Sequence, residues 1–180
     1  MPNKLPPVDD RPMIVTAWID PENLDLFNRL RDGLFPADRN YLSAHVTLFH
    51  HIPPAVRQDF ITFCRDNFSR TPSLPMRVKP PFLLGRGVAY PVDCQELSDI
   101  RARLRRQYAG VLTSQDDRAW NRPHITVQNK VDPREAKQTL SHLKPRFQEC
   151  TIEVVGLSFH RYDGGPWHLL DRLTFGGSTA

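Results

Sequence analysis

The chain has 180 residues, 39% of them hydrophobic, enough to bury a core as one domain. No run approaches the roughly 18 apolar residues of a membrane helix, and Met1-Pro2-Asn3-Lys4-Leu5-Pro6-Pro7 lacks the apolar core of a signal peptide, so the expectation is a protein without a membrane span or leader. The net charge of +4 mildly favours a polyanionic partner without establishing one, and three widely spaced cysteines with no CxxC pair point to a reduced, cytoplasmic setting.

In chain order, residues 1–12 read as a Pro-rich tail, and Met13–Ile19 as an apolar strand. Leu24, Phe27, Leu30 and Leu34 recur at near-helical spacing and predict a helix from Pro21 to about Leu34, with Asp20 as its cap and Pro21 in its first turn. His45-Val46-Thr47-Leu48 is the next strand. Pro53-Pro54 breaks the chain, Val56, Phe60 and Phe63 mark a second helix, and a strand follows at about Met76 to Lys79. The second half repeats this order. Val88–Val92 is a strand, with Pro91 suggesting an edge position or its end. Leu97, Ile100, Leu104, Tyr108 and Val111 form a helical stripe, and His124-Ile125-Thr126-Val127 is a strand. Asp132-Pro133 opens a helix carrying Ala136, Leu140 and Leu143, and Thr151 to Leu157 is a strand. Phe159 to Trp167 reads as a hairpin around Gly164-Gly165, and 176–180 as a tail. The expected fold is α+β: a single domain over 13–175, built from repeats of about 13–87 and 88–175. Each repeat forms a lobe with an antiparallel sheet and helices on its outer side, and a cleft lies between them.

The repeated tetrapeptide carries the chemistry. Alternation along a strand puts His45 and Thr47 on one face with Val46 and Leu48 behind, and does the same for His124, Thr126, Ile125 and Val127. A polar pair kept on the same face in both halves has no packing rationale unless it is wet or used. Two imidazoles across a cleft supply a general base and a general acid near neutral pH. The two hydroxyls suit the oxygens of a phosphoryl group.

The paired motif resembles the signature of the 2H phosphoesterases, which include the RNA 2′,3′-cyclic phosphodiesterases, also called 2′-5′ RNA ligases. The resemblance spans about Met13 to Phe175. It implies metal-independent, cofactor-free hydrolysis of a 2′,3′-cyclic phosphate to a 2′-phosphate, with His45, Thr47, His124 and Thr126 catalytic. It also implies RNA ends or small nucleotide cyclic phosphates as substrates, and a monomer is the expected state. We take His45 as the acid and His124 as the base. The same site fits 2′-5′ phosphodiesterase or RNA ligase activity, or a nucleotide- or RNA-binding module without turnover.

Other residues are weighed beside these. Arg122 shares the His124 face if Pro123 does not end the strand, and its guanidinium could neutralise a phosphate. Tyr90, with Tyr41, Trp120 and Trp167, is a candidate for stacking a base, against the alternative of core packing. His50 and His51 invite a metal reading, but strand parity and rise separate them from His45 and no ligand-spacing pattern accompanies them. His142, His160 and His168 read as surface or supporting residues. Arg101, Arg103, Arg105 and Arg106 read as a solvated helix face or, alternatively, a surface for RNA backbone.

Overall fold

In the computed structural model, residues 9–176 are described. The element order is Met13–Ile19 (β1), Pro21–Leu34 (α1), Thr47–Ile52 (β2), Arg57–Phe68 (α2), Leu74–Val78 (β3), Phe82–Leu83 (β4), Val88–Asp93 (β5), Gln95–Gln107 (α3), His124–Gln128 (β6), Pro133–Leu143 (α4), Cys150–Tyr162 (β7) and Trp167–Thr174 (β8). The order strand, helix, strand, helix, strand therefore occurs twice, with β4 and β8 as additions. The caps follow the sequence: the Asp20 and Asp132 side chains accept from the Glu22 and Arg134 amides, each with proline in the first helical turn. The stripe predicted to reach Val111 stops sooner. Tyr108 ends α3, and Val111 lies outside it, exposed.

All strand pairs are antiparallel, as expected, and the eight strands form one hydrogen-bonded sheet. The thirteen-residue β7 is the junction. Val154 pairs with Ile19 of β1 on one edge and with Leu74 of β3 on the other, and β8 continues the β3 edge from Gly156 to Tyr162. Gly156 is required there, because a Cβ would collide with the Leu173 carbonyl. One arm of the sheet is thus β2-β1-β7-β8. The other has β5 flanked by β6 on one edge and by β3 and β4 on the other. In β1, Met13, Val15, Ala17 and Ile19 join the core. That core is filled by Phe27, Phe49, Phe60, Leu97, Leu104 and Phe159, each at most 2% exposed.

Helix packing departs from the expected pattern in which each half covers itself. Phe27 of α1 meets Tyr90 of β5 edge-on at 5.5 Å, and Arg31 reaches β6. Conversely, Phe49 of β2 packs on Phe60, which packs on Tyr108 at the end of α3, and Arg101 of α3 reaches β2. Each half therefore lends a helix to the motif strand of the other.

The expected tails over 1–12 and 176–180 lie mostly outside the described residues, and where they do not they need correction. Asp9 pairs with Arg11, Arg57 and Arg161, the Pro12 carbonyl accepts from the Tyr162 amide, and the Gly176 amide donates to the Ser69 carbonyl. Asp9 and Pro12 thus tie the segment before Met13 onto α2 and β7. Among the described residues no helix is long and apolar enough to cross a membrane.

Candidate active site

His45 sits just before β2 and His124 is the first residue of β6. Val46, Leu48, Ile125 and Val127 are each 0% exposed, while His45, Thr47, His124 and Thr126 are partly exposed, which is the alternation strand parity requires. The two rings are held alike. His45 Nδ1 lies 2.7 Å from the Ser43 carbonyl, and His124 Nδ1 lies 2.8 Å from the Arg122 carbonyl. A carbonyl only accepts, so Nδ1 carries the hydrogen in both rings. Each Nε2 is left to accept a proton when neutral or to donate one when charged.

Each ring also has an aromatic neighbour. Trp167 of β8 stands 4.7 Å from His45, and Phe82 of β4 meets His124 edge-on at 5.9 Å. Trp167 also contacts His160, whose Nε2 is 3.3 Å from Thr16 Oγ1. Burial, opposed by the Ser43 hydrogen bond and reinforced by the charges of Arg31, His160 and His124, pushes the His45 pKa down to about 4. Burial and the Arg172 charge take His160 to about 4 as well. Arg31 joins the two motifs, donating to the Thr126 carbonyl and to the Leu42 carbonyl of the segment that leads to His45. A pocket of about 450 Å³ opens beside His45, with His160, Trp167, Asn28, Tyr41 and Arg172 in its walls.

Several sequence expectations change here. Tyr90 is 6% exposed between Phe27 and Phe147, so it packs the core and has no free face for a base. Arg122 precedes β6 with φ +52°, so strand parity does not place it. Its guanidinium instead lies 5.1 Å over the Phe82 ring that flanks His124. Arg101 is buried, donating to the Leu48, Asp116 and Arg118 carbonyls. Arg103 stacks on Phe63 and Phe68, Arg105 pairs with Asp117 at the surface, and Arg106 is exposed. Trp120 donates to the Thr47 carbonyl from β2's outer edge. His50 meets Asp116, His142 and His168 are exposed, and among the described residues no three His, Cys, Asp or Glu side chains stand close enough to hold a metal ion. His160, read as a supporting residue, and Trp167 prove to be the neighbours of His45. Their nearness depends on the β1–β7–β8 pairing, which no local pattern announces.

A family model described as the 2′-5′ RNA ligase superfamily matches residues 19–166, which include both motifs. The chain belongs to that superfamily. Its fold agrees with three solved structures that each align over 93% of this chain and 99% of their own. They are TT0787 of Thermus thermophilus (14% identity, TM-score 0.63), a phosphoesterase (16%, 0.62) and Escherichia coli LigT complexed with 3′-AMP (12%, 0.59). No curated protein sequence matches the chain. Membership of the 2′-5′ RNA ligase superfamily agrees with the 2H phosphoesterase resemblance read from the motifs.

Proposed function

We propose that this protein is a metal-independent phosphodiesterase that hydrolyses 2′,3′-cyclic phosphate ends of RNA or small nucleotides to 2′-phosphates in a cleft between its two His-x-Thr motifs. The observation that carries the reading is the matched pair of Nδ1–carbonyl hydrogen bonds, which fixes both imidazoles in the tautomer that presents Nε2. Family membership and a LigT neighbour captured with 3′-AMP support a nucleotide phosphate as the ligand class.

In the proposed reaction a water attacks phosphorus in line with the 3′ oxygen. One Nε2 takes the proton from that water as the P–O bond forms. The other, as imidazolium, gives its proton to the 3′ oxygen as the P–O3′ bond breaks. Thr47 and Thr126 donate to the non-bridging oxygens, which gain charge in the transition state. The low pKa of His45 favours its neutral form and therefore the base role, reversing the sequence expectation of His45 as acid. His124 is then the acid.

The test is a panel of cyclic phosphates and 2′-5′ linkages in EDTA, with product regiochemistry read by phosphorus NMR. Turnover to the 2′-phosphate is expected. Complete loss in chelator, restored by a divalent metal, refutes the mechanism, and binding without turnover favours the binding module. A nucleotide diester with a nitrophenolate leaving group, whose departure needs no proton, separates the two roles. His124→Ala should keep most activity on that diester, and His45→Ala should lose it. The opposite result reverses the assignment. Since His45 is the base, kcat/KM should hold well below pH 6.5 on the acid side, and a bound phosphate anion should raise the limb seen in kcat.

A further inference from the structure

Arg31 lies on α1 and is only 4% exposed. Its Nη1 donates to the Thr126 carbonyl at 2.8 Å, its Nε to the Leu42 carbonyl at 3.0 Å, and its Nη2 to Asn40 Oδ1 at 3.0 Å. Phe35 covers the guanidinium face at 4.3 Å. One fork thus joins the second motif strand to the loop that leads into the first motif. The same loop is held by Asn28 Oδ1, which accepts from the Ala44 amide, and by Asp32, which accepts from the Asn40 amide side chain. It also carries Ser43, whose carbonyl orients the His45 ring. A physical chain therefore runs from the Arg31 fork through residues 40–44 to His45, and directly to the backbone of Thr126.

The charge is as informative as the fork. A buried cation ordinarily has a carboxylate against it. Among the described residues Arg31 forms no ion pair, and its hydrogen-bond partners are all neutral oxygens. Asp32 is near enough to act on it only through space. A guanidinium so held leaves net positive potential behind the two motifs, and water screens it poorly.

We propose that Arg31 is a positioning residue for the two-histidine reaction: its fork sets the first motif against the second, and its charge, unmatched by a carboxylate contact, biases the site toward a neutral His45 and an anionic ligand. The inference rests on the reading above for its link to turnover. The neighbouring charges on His45 are those of Arg31, His160 on β7 and His124 on β6, while Arg172 and Asp25 line the adjoining pocket. Arg101 is the counterpart from the other half, donating from α3 to the Leu48 carbonyl of the first motif strand and to the Asp116 and Arg118 carbonyls of the segment that leads to Arg122 and His124.

The test compares Arg31→Lys, which keeps the charge and loses the fork, with Arg31→Met, which loses both, and Asn40→Ala, which removes one partner of the fork. The His45 midpoint is read without substrate by NMR of the imidazole, alongside kcat on a 2′,3′-cyclic mononucleotide and the Kd for inorganic phosphate. Arg31→Met should raise the His45 midpoint by about half a pH unit or more and weaken phosphate binding. It should also cut kcat by about tenfold or more. Arg31→Lys should leave the midpoint in place and still lose kcat. An unmoved midpoint in Arg31→Met, or wild-type kcat in Arg31→Lys, overturns the proposal. If Arg31→Met does not fold, the other two variants decide: full kcat in both refutes the fork. Absence of turnover in the wild type would remove the function proposed above, and the midpoint and phosphate measurements would still decide the role of Arg31.

Discussion

His45 and His124 carry the proposed chemistry, and their energetic weight can be stated. Replacing either with alanine should lower kcat by roughly 10²–10⁴-fold on a cyclic phosphate, the usual worth of a positioned base or acid. The double variant should be far less than multiplicatively worse if the pair works as a unit. Thr47→Val and Thr126→Val each remove one donor to developing charge and should cost up to about 10²–10³-fold in kcat. Steady-state kinetics alongside thermal melts check this: full activity in either histidine variant sinks the paired reading, and unfolded variants point to a structural role instead. These four residues were legible because parity is local, so a tetrapeptide suffices to put His and Thr on one face. His160 and Trp167 were not, since they reach His45 from β7 and β8 through pairings remote in the chain. Tyr90 misled because a tyrosine on a strand reads the same whether its neighbour is a base or Phe27.

At the scale of elements, the edge of β2 shows what local patterns leave out. Among the described residues β2 pairs only with β1, and an open strand edge invites further pairing. Asp116, 0% exposed, closes that edge by accepting from the His50 and His51 amides, while Arg101 and Trp120 donate to the Leu48 and Thr47 carbonyls. Burial alone would raise the Asp116 pKa, but the His50 side chain and the two amides outweigh it and hold the carboxyl low. Asp116→Ala leaves two amides of β2 without an acceptor and should cost about 2–4 kcal/mol of stability. Urea unfolding measures it, and a loss under about 1 kcal/mol would mean that water replaces the carboxylate. Apart from β4, the strands and helices followed from periodicity, and the caps of α1 and α4 from their Asp-Pro starts. The edge closure did not, because Asp116 lies in an irregular segment with no periodicity to read and Arg101 looks, in sequence, like one more basic residue on a helix face.

For the molecule as a whole, His45 and His160 link the fold to pH. Both bind protons more weakly folded, near pH 4, than unfolded, near 6.5. Between those values the unfolded chain takes up protons that the folded one does not, so stability falls as pH drops through the window and this contribution levels off below about 4. Melting temperature should decline from pH 7 to 4.5, and His160→Gln should flatten the decline. A constant melting temperature in the wild type over that range contradicts the burial of these rings. The antiparallel α+β architecture was legible from the order of elements, whereas the exchange of α1 and α3 between halves was not, since amphipathic spacing says which face a helix buries but not against whom. The position of β7 has a further cost in time. Thr16 and His160 are 144 residues apart, so β1 emerges from the ribosome long before the strand that must lie against it. At 5–20 residues per second that interval is on the order of ten seconds. Throughout it an apolar strand waits with one edge bare, so synthesis that stalls before Cys150 should yield a protease-sensitive product.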